Sequence, residues 1–334
     1  MDLQTRIALL EALGQYIQHN DTTWQAAKRK AFSENNWFTE EFIDLAVGNL
    51  VEELLQYEKL STLAETYQLP QQSRAKKIGV VMPGNIPLAG FYDVLCVFLT
   101  GNIAMIKPSV KDSALINQLV TYMHQSDPAV AEFLFISELL KGCDAYIATI
   151  NQENDSSFLQ YFSKYPNIIR KKRTSVAVLD GHETREELEA LAGDLHYYFG
   201  LGYQNVKKIY VPEGYDFIPL LDTFNQYEYF TNHHKYKNNY DYHLAMHILN
   251  NKFYMTNGSL LLLEDASFFA PVGQVHYAFY KTKEDPKNLQ DEAAILNVVG
   301  HGCFPFGKAQ YLHIDSISKG PDTINFLKSL NGVN

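Results

Sequence analysis

Apolar residues recur at three- and four-residue steps through residues 1–70. Ile7, Leu10, Leu13 and Ile17 form one stripe, and Phe42, Leu45, Ala46, Leu50 and Leu54 form another. This is the spacing of helices that each bury one face. Asn20-Asp21 and Ser33-Glu34-Asn35-Asn36 supply breaks and caps between the segments. Leu69-Pro70-Gln71-Gln72-Ser73 is polar, carries a proline and precedes a change of rhythm, which predicts a domain junction there.

From Lys77 the pattern turns to short apolar runs. Ile78–Met82 predicts a buried strand ending in Pro83-Gly84-Asn85, with an apolar helix through Phe91–Leu99. Ile103–Ile106 is the next strand, ending at Lys107-Pro108-Ser109, and Leu115, Leu119 and Tyr122 mark a further helix. Strands are also predicted at Phe133–Ile136, Ala145–Thr149 and Thr174–Leu179, with a helix through Phe158–Tyr165. Beyond them come a helix over Glu183–Tyr198, a strand at Lys208–Val211, helices to about Asn250, and strands at Ser259–Leu263 and Val275–Tyr280. Such alternation predicts an α/β chain with a parallel sheet covered by helices, where ligands sit at the carboxyl ends of the strands. The expected divisions are a helical segment over 1–72, an α/β region over 73–182, and a second α/β region with a C-terminal tail over 183–334.

Composition narrows the function classes. The chain has 334 residues, 46% of them hydrophobic, enough for two domains of ordinary size. Its net charge of −10 argues against a general nucleic-acid or anionic-membrane surface. No apolar run approaches the ~18 residues of a membrane span, and the opening MDLQTRIALLEALGQYIQ lacks the parts of a signal peptide. Cys96, Cys143 and Cys303 are too few and scattered for a disulfide framework. A cytoplasmic protein is expected.

Two segments carry candidate chemistry. In Pro83-Gly84-Asn85-Ile86-Pro87 a strand ends in a stiff turn, and an Asn amide placed there can stabilise an oxyanion in acyl transfer; it can equally be only a turn. In Gly101-Asn102-Ile103-Ala104-Met105-Ile106-Lys107-Pro108-Ser109 a cation and a hydroxyl stand at a strand end, where a ribose or phosphate can lie. A surface Lys and a helix-capping Ser explain the same residues.

In this order and spacing the two segments resemble the aldehyde dehydrogenase superfamily, and more narrowly the long-chain acyl-CoA reductase family known from bacterial luminescence (LuxC-like). The similarity extends to Tyr165–Arg170, Ser175–Leu179, Phe199-Gly200-Leu201-Gly202, Val211–Phe217, Lys235–Tyr242 and Phe306-Gly307-Lys308-Ala309-Gln310, covering roughly residues 75–330. The resemblance implies an aldehyde-dehydrogenase-like fold: a Rossmann-type cofactor domain, a second α/β catalytic domain and a helical N-terminal segment. It implies NADPH-dependent reduction of a fatty acyl-CoA to a fatty aldehyde through an acyl-enzyme. A Cys thiolate would attack the thioester, with Asn85 as oxyanion donor and Lys107, Pro108, Ser109, Thr149 and Ile150 along the cofactor. The resemblance places Asn85, Lys107 and the nucleophile together at an interdomain cleft. A homo-oligomer, or a partner enzyme of fatty-acid metabolism, is also open.

The sequence departs from that pattern twice. The nucleophile position, in Gly202-Tyr203-Gln204-Asn205-Val206, holds Tyr203. A phenol titrates at about 10, is bulkier than a thiol and forms a less suitable acyl ester. After Thr149 the superfamily's Gly-Ser is replaced by Ile150-Asn151-Gln152-Glu153-Asn154-Asp155, which removes a glycine and brings acids close to where phosphates would lie. Both departures fit an inactive relative that binds acyl-CoA or a partner reductase.

Other residues offer weaker chemistry. Cys96 reads as core packing in an apolar helix, Cys143 precedes a strand, and Cys303 lies near His301 with glycines around it. His243 and His247, after His233-His234, allow a metal site, although His-Leu-Ala-Met-His lacks the zincin Glu. Arg170–Arg173 is a compact basic run that could meet CoA phosphates or be solvated. Asp180 and Glu183 stay unassigned.

Overall fold

The computed structural model describes residues 1–71, 74–149, 161–282, 285–311 and 321–330. The chain forms two compact units, residues 1–172 with 312–334, and residues 173–311.

The first unit opens with four helices: α1 (Leu3–His19), α2 (Thr22–Glu34), α3 (Glu40–Leu54) and α4 (Tyr57–Thr66). The expected breaks act as caps. Asp2 accepts from the Thr5 N–H, Asp21 from that of Trp24, and Asn20 ends α1 in the left-handed region that Asn tolerates. The apolar stripes then join one core with the helix α5 (Phe91–Leu99), whose residues are buried almost all round.

Beneath these helices lies a parallel five-stranded sheet. Its strands are β1 (Lys77–Val81), β2 (Ile103–Lys107), β3 (Leu134–Ile136), β4 (Ala145–Thr149) and β5 (Asn167–Arg170), in the spatial order β3-β2-β1-β4-β5. The helix α6 (Ala114–Ser126) follows β2. This is the doubly wound order, whose direction reverses between β1 and β4 and leaves a crevice at their carboxyl ends. Asn102, fully buried, fixes the start of the sheet: its side-chain oxygen accepts from Lys76 N at 3.0 Å, and its amide donates to Thr100 Oγ1 at 3.0 Å. Gly101-Asn102 is therefore structural.

The second unit is built on a six-stranded sheet of order β11-β6-β7-β10-β9-β8. Its strands are β6 (Thr174–Val178), β7 (Val206–Pro212), β8 (Met255–Thr256), β9 (Leu261–Glu264), β10 (Gln274–Tyr280) and β11 (Ile295–Val299). All neighbours run parallel except β8 and β9. Helix α7 (Arg185–His196) starts in a capping box, Thr184 with Glu187; α8 (Ile218–Thr223) and α9 (His234–Leu249) follow β7.

The division differs from the expected boundaries in two places. It falls at 172/173 rather than 182/183, because β6 pairs with β7 and β11 and not with the first sheet. Helix α10 (Thr323–Ser329) groups with the first unit rather than with residues 183–311. Its Asp322 accepts from the Tyr67 hydroxyl at 2.8 Å, and Thr323 meets Arg170 and Asp93. Among the described residues no helix is long and apolar enough to cross a membrane.

Candidate functional site

In the first unit, strand pairing brings the two candidate segments side by side. Val81 is in register with Lys107, and Met82 N donates to Lys107 O at 3.0 Å, so both chains leave the sheet at the same end. The contact between them is so close that only glycine fits at position 84. A Cβ there would sit 2.3 Å from Ser109 Oγ and 2.6 Å from Ser109 Cβ. Ser109 Oγ accepts from Lys111 N at 3.2 Å. Lys107 is exposed, whereas Ser109, Pro108, Thr149 and Asn85 are half-buried.

The turn carrying Asn85 is supported from below by Asp112, a residue the sequence reading passed over. Asp112 Oδ2 accepts from the Leu88 N–H at 2.7 Å, and Leu88 holds a left-handed φ of 55°. Burial pushes the Asp112 carboxyl up to about 7.

The donor set fits a nicotinamide dinucleotide at this sheet end. A solvent-facing ammonium and a hydroxyl stand at the carboxyl end of β2, and Thr149 ends β4 across the crevice from β1. Ile150 and the acids after it lie outside the described residues.

In the second unit, Tyr203 sits in a turn built by the residues before it. Tyr198 and Phe199 both adopt left-handed φ, 57° and 54°, followed by Gly200 at 70°. Two consecutive non-glycine residues in that region are strained and persist only when packing holds them. Phe199 is wedged 4.6 Å from the rings of Phe230 and His233. Gly200 is favoured by its left-handed φ, and a Cβ there would also crowd Leu195 O at 3.3 Å and displace the mobile Lys207 ammonium.

Asn205 then closes the turn. Its Oδ1 accepts from Gly202 N at 2.7 Å, and its Nδ2 donates to Asp194 O at 2.9 Å and Tyr197 O at 3.0 Å. Asp194 uses both carboxylate oxygens on Gly307 N and Ala309 N, drawing the Phe306–Gln310 segment to the same place; burial pushes this carboxyl up to about 7. His196 is buried and stacked on Tyr227 at 4.3 Å, and burial brings it down to about 4, so it is neutral.

At the centre of this support the Tyr203 hydroxyl is buried and has no hydrogen-bond partner among the described residues. Burial pushes the phenol above its ordinary range. Both side-chain amide atoms of buried Gln310 are likewise unpartnered, with Oε1 3.3 Å from where a Cβ on Gly202 would stand. In sequence Gln310 stands out only as the last residue of the Phe306–Gln310 motif.

The remaining candidates divide clearly. Cys96 and Cys143 are buried, and burial raises both thiols. Cys303 is exposed and lines a pocket of about 460 Å³ with His301 and Phe306. His301 is bracketed by carboxylates, Asp180 at 3.2 Å and Glu187 at 3.1 Å, and those hydrogen bonds hold its imidazolium above the ordinary histidine range. Asp180, Glu183 and His301 have metal-like spacing, but both His301 nitrogens and both Glu183 oxygens are already engaged. In α9, His247 meets Gln274 and His233 caps the helix, each committed to its own unit's structure. Arg170 is spent on Asp93 at 2.8 Å and Thr323 at 2.6 Å, which removes it from the basic run.

A family model described as acyl-CoA reductase (LuxC) matches residues 36–155, the span that holds Asn85 and Lys107–Ser109. Among solved structures, an oxidoreductase from Marinobacter aquaeolei superposes with a TM-score of 0.63 at 12% identity, over 88% of this chain and 71% of its own. An aldehyde dehydrogenase from Mycobacterium tuberculosis, complexed with NAD+, gives 0.62 at 12% identity over 85% and 70%. An NADP dependent enzyme from E. coli gives 0.63 at 11% identity over 88% and 71%. No curated protein matches the chain. The resemblance read from the sequence is thus met by the family match, and the expected fold by structural neighbours of the aldehyde dehydrogenase kind.

Proposed function

We propose, from the acyl-CoA reductase match and the aldehyde dehydrogenase fold, that this chain is a reductase-type protein that binds a fatty acyl-CoA and a nicotinamide cofactor but does not carry the acyl-transfer step at Tyr203. The observation behind this reading is that the Tyr203 hydroxyl, at the position the resemblance gives the nucleophile, is buried with no hydrogen-bond partner among the described residues. An attacking oxygen there needs a base to remove its proton, and burial makes that proton harder to lose.

The family reaction would run as follows if a thiol stood at position 203. The thiolate attacks the thioester carbonyl, coenzyme A leaves as a thiolate, and the bound acyl thioester is reduced to release an aldehyde and the free thiolate. When bound, NADPH supplies the hydride. Asn85 would donate to the developing oxyanion, while Lys107 and Ser109 would hold the cofactor's ribose and phosphate groups. NADPH rather than NADH and the fatty chain come from the family resemblance.

The test is NADPH oxidation at 340 nm with a long-chain acyl-CoA, run on the protein and on Tyr203→Cys, beside calorimetric titration of both ligands. Binding to the parent without turnover is expected, and turnover in Tyr203→Cys about a thousandfold or more above the parent. A parent that already turns over would sink this reading. One observation then favours a second: exposed Cys303 beside His301 in an open pocket. Loss of that activity in Cys303→Ser would assign the nucleophile there.

A further inference from the structure

Asp112 stands where the two candidate segments of the first unit are tied together. Its backbone N–H donates to Ser109 O at 3.0 Å, and its side-chain Oδ2 accepts from the Leu88 N–H at 2.7 Å. One residue thus joins the Lys107–Ser109 segment to the turn that follows Asn85. Gly84 brings that turn against Ser109 and against Lys111 Cβ as well. Asp112 is 2% exposed, and its second oxygen, Oδ1, is buried with no hydrogen-bond partner among the described residues.

A carboxylate in that place is a poorly compensated charge, with one N–H donor and no cation. The charged groups of the neighbouring elements are exposed or engaged. Lys107, at the end of β2, and Lys111 are both exposed, and neither forms an ion pair with Asp112. Glu34, at the end of α2, accepts from Ser113 Oγ at 3.4 Å and meets Lys30 at 3.8 Å. Asp93 of α5 is held by Arg170. Helix α6, which starts two residues after Asp112, carries no Asp, Glu, Lys or Arg, and its His124 bonds Leu134 O. Burial therefore decides the titration, and the carboxyl is neutral in mildly acidic solution.

We infer that Asp112 links cofactor binding to proton uptake: as the neutral acid it accommodates an anionic dinucleotide held by Lys107 and Ser109, and as the carboxylate it repels one. The inference rests on the reading of Lys107–Ser109 as the cofactor segment. Because Asp112 is bonded to Ser109, a charge gained there acts on the segment that would meet the ribose and phosphates. It acts through protein rather than water, where screening is weak. Solvent-facing Lys107 offsets little of it. Linkage fixes the sign: a bound anion strengthens the carboxyl's hold on its proton, so binding takes up a proton wherever free Asp112 is ionised.

Calorimetric titration of the full chain with NADPH, from pH 6 to 8.5 and in two buffers of different ionisation enthalpy, tests this against Asp112→Asn. The amide keeps an acceptor for the Leu88 N–H but cannot ionise. The 2′-phosphate of NADPH titrates with both proteins and cancels from the comparison. If the bound anion makes the carboxyl about tenfold more basic, the ratio of parent to variant dissociation constants should be about 1 at pH 6 and about 8 at pH 8.5. At pH 7.5 the parent should take up about half a proton more than the variant. Should the variant fail to fold, the parent alone is titrated with NADH, which lacks the 2′-phosphate, and uptake of about half a proton is expected. A ratio that stays constant across this range, or the absence of that proton uptake, would overturn the inference and leave the proposed function standing. A parent that binds neither NADPH nor NADH at pH 6 would overturn both.

Discussion

The turn that carries Asn85 and the turn that carries Tyr203 are held by opposite means. The first relies on close approach: glycine at 84 lets the backbone lie against Ser109, and one oxygen of Asp112 holds the strained Leu88. The second relies on saturation: Asn205 bonds Gly202 N and the carbonyls of Asp194 and Tyr197, and Asp194 uses both its oxygens. Around Tyr203 the Asn205 amide and both Asp194 oxygens are used, while the Tyr203 hydroxyl and the Gln310 amide have no hydrogen-bond partner among the described residues. A decaying site would be expected to lose its supports along with its reactive group. Here the supports stand around the side chain that departs from the family pattern, while the second departure, at Ile150, lies outside the described residues.

The largest effect should come from removing the second turn's amide. Asn205→Ala leaves a buried N–H and two buried carbonyls unpaired, an expected loss of about 3 kcal/mol or more. Scanning calorimetry should show the melting temperature fall by about 6–12 °C. A fall of only a degree or two would mean that the turn is held by the aromatic packing around Phe199 and not by Asn205.

The two buried carboxyls sharpen the contrast at an intermediate level. Asp194→Asn has one carbonyl oxygen for two N–H groups, so about 1–3 kcal/mol should be lost at pH 5. Asp112→Asn keeps its one acceptor and should cost under about 1 kcal/mol there. Both carboxyls titrate at about 7 in the folded chain and near 4 when unfolded. The folded chain therefore binds protons that the unfolded chain has released. Their contribution to stability is full below about pH 4 and is lost as pH rises through about 7. Asp112→Asn removes its share of that slope, so its melting temperature should overtake the parent's by pH 8. Parallel melting curves from pH 5 to 8 would contradict the buried-carboxyl account.

The smallest effect belongs to His301, which is exposed. His301→Ala should lower the melting temperature slightly in mildly acidic solution, where the imidazolium bridges Asp180 and Glu187. Because the folded pKa is raised, that stabilisation is present below the unfolded pKa and fades as pH rises through the folded one. The gap between variant and parent should close at alkaline pH. A gap that widens instead would show that His301 acts as a neutral group.

Periodicity alone placed the α1 and α3 stripes, the caps at Asn20 and Asp21, and most strands of both sheets, because these depend on which side chains neighbours along the chain expose or bury. Residue order also made Asn85 and Lys107–Ser109 candidates, and the family resemblance added Tyr203. Sequence did not assign β6 to the second sheet or find β11, since strand partners are chosen by pairing across long stretches of chain. Nor did it single out Asp112, Asp194 or Asn205, polar residues whose meaning lies in the backbone groups that folding brings within 3 Å of them. Tyr203 shows the boundary between the two. The family resemblance places a phenol at the nucleophile position, and only the tertiary structure buries its hydroxyl with no hydrogen-bond partner among the described residues.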